Sequence, residues 1–430
     1  MSSAVTRGSN RAIRSRRRRW PRVLLWTVLI LVITFYVAGG WYFSDQLRAD
    51  GFEVRPHERE FRAVVDEVGT DTIVIAQGDP ADGELFNAGH MGLVWEGGYG
   101  TVDAVVEESE TTATRQFAHL GGDPPSAGTR VDVDPWVYPD DFATATELPF
   151  EPVSYQSPLG PMEAVLLRGT SDTWAVLVHG KNATPREDVR MAETLWNSGM
   201  SVLAITHRND EGQPRDPSGI HRYGATEWED LEGAVDFARS EGAEQFVLGG
   251  LSTGAAVVMS FLERSDHDDG TVGLVFDSPN IDFGTTVNHN AARRKLPVVG
   301  LPVPSSLTWV AKMIGSLRFG VDWDEINYVS RVDHLDVPIL ILHGTDDLSV
   351  PIETSRELAS LRPDLVTLVE FEGAKHVQSW NVDPEKYADA LTAFVESVKV
   401  FVSERAGFPS RICLRAGGRR ALGSLATTMA

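Results

Sequence analysis

The stretch Phe246-Val247-Leu248-Gly249-Gly250-Leu251-Ser252-Thr253-Gly254-Ala255-Ala256 decides how this chain is read. An apolar run ends in Gly-x-Ser-x-Gly, and a helix-forming run to Arg264 follows. The pattern predicts a strand, a tight turn and a helix, with Ser252 on the turn. Gly250 and Gly254 let strand and helix pass close to that turn, where a Cβ would clash. Ser252 Oγ is then presented at a helix N-terminus, which favours developing negative charge. Alone, the five-residue pattern equally describes a small-residue turn, so the rest of the chain has to decide.

Around this stretch, from Val153 to Val402, short apolar runs alternate with helical patterns. A hairpin is expected about Pro158-Leu159-Gly160. Strands are expected at 175–178, 202–205, 246–248, 272–276, 339–342 and 365–371. Helices are expected at 185–198, 225–240, 352–361 and 384–402. Continuous apolar strands separated by helices predict an α/β fold, a mostly parallel sheet covered on both faces. Residues 284–330 interrupt the alternation with an apolar helix around Leu307 to Leu317, where a lid is expected.

A serine nucleophile needs a base within reach and an acid to orient that base. Leu340-Ile341-Leu342-His343-Gly344-Thr345-Asp346-Asp347 carries acids beyond one predicted strand, and Phe371-Glu372-Gly373-Ala374-Lys375-His376 carries a histidine beyond the next. The ends of parallel strands gather at one sheet edge, where sites of open α/β folds lie. Ser252, Asp347 and His376 are therefore the candidate nucleophile, acid and base. Asp346 and Asp277 stay open as alternative acids. His179 and His343 are expected to hydrogen-bond locally. His207, His221, His289 and His334 show no metal-ligand spacing. Asp266, His267, Asp268 and Asp269 read as a solvated surface turn.

These motifs, over roughly 153–402, resemble the α/β-hydrolase superfamily, whose triad runs in the same chain order. His179-Gly180-Lys181 is similar to its oxyanion loop, which implies that the Lys181 and Thr253 backbone N–H groups hold the oxyanion. His343 to Pro351 resembles the acid loop, whose acid stands four residues after its histidine and so maps to Asp347. Lys181 and Asn182 depart from the glycine-rich loop of the lipase branch. The chain looks most like the serine aminopeptidase/BEM46-like branch and like membrane-anchored actinobacterial hydrolases, which share a phrase similar to His207-Arg208-Asn209-Asp210-Glu211-Gly212. The resemblance implies a serine hydrolase of small acyl substrates without a cofactor or metal, and the apolar lid and the membrane tether read below put an ester or lipid-like bond first. Cleavage of peptides or amides is the alternative, with Asp210, Glu211 and Asp282 as candidate holders of an amino group. A non-catalytic surface binding module is the other.

The 430-residue chain carries a formal charge of −22, unevenly placed. Eight arginines and no acid lie in 1–44, five arginines and no acid in 405–430, which leaves 45–404 at −35. So acidic a main domain repels phosphate and excludes nucleic acid as its partner. Val23 to Phe43 is apolar and uncharged, long enough to cross a bilayer, with Trp20 and Trp26 near one end and Trp41 and Tyr42 at the other. The arginine cluster before it predicts a single-pass cell-membrane protein with a basic cytoplasmic N-terminus, 1–22, a transmembrane helix, 23–43, and the rest outside. Cleavage as a signal peptide after Val37-Ala38-Gly39 is the rival reading. A polar linker is expected at 45–56 and a small β-rich module without catalytic motifs at 58–135. The hydrolase-like domain is expected at 153–403, and a basic, unstructured tail at 405–430. The lone cysteine, Cys413, rules out an intrachain disulfide.

Overall fold

The apolar run after Arg22 forms a single helix, α1 (Trp20–Leu47), long and apolar enough to cross a membrane and almost wholly exposed up to Val37. This computed structural model describes residues 20–407 apart from 57, 58, 79–82, 88, 147 and 298. Most of the basic N-terminus, Glu58, Cys413 and the tail from 408 therefore lie outside the described residues. Within the stretch read as a polar linker, 45–56, α1 runs to Leu47 and a π-helical turn follows over Arg48–Phe52. The reason is apolar anchoring. Phe52 is buried against Ile220, Tyr223, Phe283, Val321 and Ile326, with Leu47 packed alongside.

Six strands follow: β1 (Ala63–Val68), β2 (Thr72–Gln77), β3 (Met91–Trp95), β4 (Gly98–Glu108), β5 (Thr112–Gly122) and β6 (Arg130–Asp134). They close a barrel in the order β1-β2-β5-β4-β3-β6, sealed where Ala63 and Val64 of β1 pair with Val131 and Arg130 of β6. Closure removes the exposed edges that a sheet this small would otherwise present. Inside, Val65, Ile73, Ile75, Leu93, Val102 and Val133 form the core.

The main domain is an eight-stranded sheet in the order β14-β13-β12-β11-β9-β10-β8-β7. The hairpin β7 (Glu151–Ser157) and β8 (Gly160–Leu167) lies at one edge, with β8 antiparallel to both β7 and β10. Then come β9 (Thr173–Val178), β10 (Ser201–Ile205), β11 (Gln245–Leu251), β12 (Thr271–Asp277), β13 (Ile339–Gly344) and β14 (Val366–Phe371), all parallel. Helices α2 (Val189–Asn197), α3 (Trp228–Ser240), α4 (Thr253–Arg264), α5 (Phe283–Ala292), α6 (Ser305–Phe319), α7 (Glu353–Leu361) and α8 (Pro384–Gly407) complete the domain. Side chains of α3, α4 and α7 bury one sheet face, and those of α2 and α8 the other. The last helix continues past 402 to Gly407. The region 284–330 contains α6, and most of α5, which starts one residue before it. Helix α5 starts where the Asp282 carboxylate accepts the Thr285 N–H at 2.9 Å.

Candidate active site

Ser252 sits between β11 and α4 with φ 51° and ψ −114°, a conformation that non-glycine residues adopt only when the surroundings impose it. The surroundings are backbone. A Cβ on Gly250 would lie 2.4 Å from the Ala255 nitrogen, and one on Gly254 1.9 Å from the Val178 oxygen. The Ser252 N–H donates to the Asp277 carbonyl and the Ser252 carbonyl accepts from Asn280, which ties the turn to the end of β12.

Two later loops reach this serine. His376 Nε2 lies 2.9 Å from Ser252 Oγ, and His376 Nδ1 lies 2.6 Å from Asp347 Oδ2. Asp347 is buried, and its Oδ1 accepts the N–H groups of Ser349 and Val350 at 2.8 Å each. Asp346 is exposed and bonded to Thr345, and Asp277 is buried beside Ser278 and Ser379. Burial works against charge on both partners of the His376–Asp347 pair, and their mutual attraction outweighs it. The imidazole is raised above its ordinary value of 6.5, with Glu187 and Asp277 adding to Asp347. The Asp347 carboxyl is held well below the usual carboxylate range by His376 and His343. His343 binds locally, to Ser355 Oγ at 2.8 Å and the Val350 carbonyl at 3.2 Å.

Lys181 and Thr253 also meet. The Lys181 N–H donates to Thr253 Oγ1 at 2.6 Å, and Thr253 opens α4 beside Ser252. Several residues that sequence reasoning passed over hold the loop carrying Lys181. The buried Glu187 carboxylate accepts the Gly180 N–H at 2.9 Å. Asn182, at φ 56°, accepts from Arg55 N and from His221 Nε2 and donates to the Glu53 carbonyl. Lys181 Nζ donates to the Asp50 carbonyl at 2.9 Å. The residues after α1 thus pin this loop. The only sequence hint was Asn182 itself, standing in place of a glycine.

Asp210 is buried among histidines. It lies 3.0 Å from His179 Nε2 and accepts the His207 N–H at 2.7 Å. The His179 and His207 rings stack at 4.7 Å, and the polar atoms of the three residues lie within 4.8 Å of one another, a grouping the scattered sequence positions hid. Burial opposes charge on His179, but Asp210 pushes it up to about 9, so the group is a buried ion pair. Asp282 is the cap of α5. Near the acidic turn 266–269, His267 Nδ1 lies 2.9 Å from Asp236, and Arg239 donates to the carbonyls of His267 and Asp269.

A strand–turn–helix serine, with an acid and a histidine on the loops after β13 and β14 of a mostly parallel sheet, defines an α/β-hydrolase-type domain. Residues 165–390 match the Alpha/beta hydrolase family, and with more than half of its length in that match the chain belongs to it. An uncharacterized protein of Bacillus subtilis (strain 168), YqkD, is 21% identical over 225 residues, covering 52% of this chain and 71% of that protein. Among solved structures, the Pyrococcus furiosus esterase Pf2001 overlays with a TM-score of 0.48 at 18% identity, over 61% of this chain and 97% of its own. A thermophilic esterase from Thermogutta terrifontis gives 0.40 at 20% identity, over 58% and 99%.

Proposed function

We propose that this protein is a membrane-anchored serine hydrolase that cleaves an ester or lipid-like acyl bond through an acyl-enzyme. The observation that carries the reading is the unbroken relay from Ser252 Oγ through the His376 ring to Asp347. Ser252 attacks the acyl carbon as His376 Nε2 takes its proton, and Asp347 holds the Nδ1–H tautomer and steadies the imidazolium. The Thr253 amide, joined by the Lys181 amide once it leaves Thr253 Oγ1, stabilises the oxyanion, at about 3–4 kcal/mol for one donor. His376 then protonates the leaving group and activates water for deacylation. The domain at 153–403 carries this chemistry and 284–330 shapes the pocket, without a cofactor. The Arg-rich N-terminus keeps its end cytoplasmic and the domain outside the cell membrane.

The test is labelling of the full chain by a fluorophosphonate, which requires an activated serine and no known substrate. Wild type is expected to label, and Ser252→Ala and His376→Ala are not. Labelling that survives Ser252→Ala would overturn the assignment. A folded wild type that stays unlabelled would favour a surface binding module. Comparing short-chain esters with aminoacyl amides separates the esterase reading from the amidase one.

A further inference from the structure

Helix α6 packs along the apolar helix α1 in the same chain direction. Ser306 Oγ meets the Tyr36 hydroxyl at 2.8 Å, and Arg318 at the other end bonds Ser44 and Asp45 and covers the Trp41 ring. Between these ends the helices are in close contact because Gly39 and Gly40 lack side chains. A Cβ on Gly40 would lie 2.6 Å from Val310 and 2.9 Å from Ile314, and one on Gly39 3.2 Å from Leu307. Small residues of this kind let helices meet inside a bilayer.

The contact fixes a depth. Tyr36 stands seven residues before Phe43, the end of the apolar run. At helical rise that is about 10 Å, and half the hydrocarbon core is about 15 Å. The first turn of α6 therefore lies below the level at which α1 leaves the lipid. What α6 shows outward fits that level. Trp309, Met313 and Leu317, spaced for one face, are 62, 46 and 85% exposed, and Val299 and Leu301 just before the helix are 61 and 62%. The only charges on α6 are held: Lys312 donates to the Gly284 carbonyl under Trp323, and Arg318 sits at the Trp41 level.

Behind this face lies a cavity of about 400 Å³ between α1, α5 and α6, walled by Phe43, Leu47, Phe283, Val287, Val303 and Ala311. That is a ligand-sized volume. Its polar end touches both loops of the candidate site. Asp50, on its wall, accepts from Lys181 Nζ, and Arg293 donates to the Leu348 carbonyl beside Asp347.

We propose that α6, with Val299 and Leu301 just before it, lies in the lipid leaflet beside α1, and that the cavity takes the acyl chain of a bilayer-resident amphiphile from that leaflet. This rests on the reading above that α1 spans a membrane. The interfacial occupant is lipid, because the exposed face of α6 is continuous with the lipid-facing surface of α1 and carries no charge.

The test uses the full chain with Cys413→Ser, reconstituted in vesicles of phosphatidylcholine and phosphatidylglycerol that carry a nitroxide on the acyl chain. An environment-sensitive fluorophore is placed in turn on I30C, L301C, W309C and E396C. The first three labels are expected to be blue-shifted and quenched severalfold more than the one at 396. If the labels at 301 and 309 behave like that at 396 while the one at 30 is quenched, α6 is in water and the proposal fails with the anchor intact. If the label at 30 is not quenched either, the anchoring reading falls and the proposal with it. A second arm compares Trp309→Asp with wild type on a long-chain ester in the vesicles and on soluble p-nitrophenyl acetate. A loss of tenfold or more confined to the vesicle ester is expected. Equal wild-type and variant rates on it, equal losses on both esters, or a wild type that hydrolyses only the soluble ester would overturn the entry route.

Discussion

Replacing Asp347 by Asn separates a positioning acid from a structural one, because the geometry dictates how the amide must sit. Oδ1 accepts two N–H groups, from Ser349 and Val350, at 2.8 Å each. Only the amide oxygen can take that place, so the NH₂ must face His376 Nδ1 and His343 Nε2, now served by Oδ2 at 2.6 and 3.2 Å. A donor opposite Nδ1 makes that nitrogen an acceptor and moves the ring proton to Nε2, which faces Ser252 Oγ at 2.9 Å. A protonated Nε2 cannot take the serine proton. The loss for a wrong tautomer is about 10⁴ in kcat, or about 5.5 kcal/mol of barrier. The assay is p-nitrophenyl ester hydrolysis against pH, with Asp346→Asn alongside. Burial pulls the His376 ring down and Asp347 more than offsets it, so the folded value lies above 6.5. The base acts neutral, so wild-type kcat/KM should rise with pH through a midpoint above 6.5, and the residual activity of Asp347→Asn should rise through a lower one. An Asp347→Asn enzyme within about tenfold of wild type, or an Asp346→Asn enzyme carrying the loss instead, would refute the reasoning.

Gly254→Ala puts a Cβ against the Val178 and His179 backbone, which cannot rotate aside. Stability should fall by about 1–3 kcal/mol and the esterase rate by about 10²-fold, as expected when a nucleophile shifts by about 1 Å. A variant matching wild type in melting and rate would show that the turn is looser than drawn. Arg115, fully buried in β5, donates to the carbonyls of Leu85, Asn87, Gly89 and Asp103. Arg115→Met strands those acceptors and should cost about 3–5 kcal/mol in urea unfolding; an unchanged midpoint would contradict it. The His179–Asp210 pair sets a pH dependence of stability. His179 is raised from 6.5 to about 9, so its contribution is complete below 6.5 and disappears as pH rises through about 9. The Asp210 carboxyl is lowered by the histidines despite its burial, so its share is lost only as pH falls below the ordinary 3.8. Wild type should lose Tm between pH 6.5 and 9 relative to Asp210→Asn; parallel curves would sink the ion-pair assignment.

What could be read from the sequence follows from which signals are local. The parallel strands were legible because each is a continuous apolar run, and the serine turn because its glycines are adjacent to it. Barrel closure was not. Strand β6 reads Arg-Val-Asp-Val-Asp, and only its pairing with β1 and β3 shows that Val131 and Val133 are interior. Helix α5 was not legible because its apolar face is only Phe283, Val287 and Ala291 among polar residues, and its start is set by the Asp282 cap. The polar groups steadying the site, Glu187 and Asn182 among them, act across the fold through single side chains, for which no spacing exists to read. The ordered segment after α1 shares this trait: its burial of Phe52 depends on partners more than 160 residues away.

The barrel is bolted to the histidine loop. The His90 N–H donates to the Asn381 carbonyl, and Asn381 Nδ2 donates to the carbonyls of His90 and Pro135 at 2.7 Å each. Asn87 bonds Lys375 and Gln378, on either side of His376. The loop that makes these bonds is the one Arg115 grips from inside the barrel. The β-rich module is therefore more than a spacer hung on the chain: one guanidinium and one short loop join its interior to the segment that carries His376.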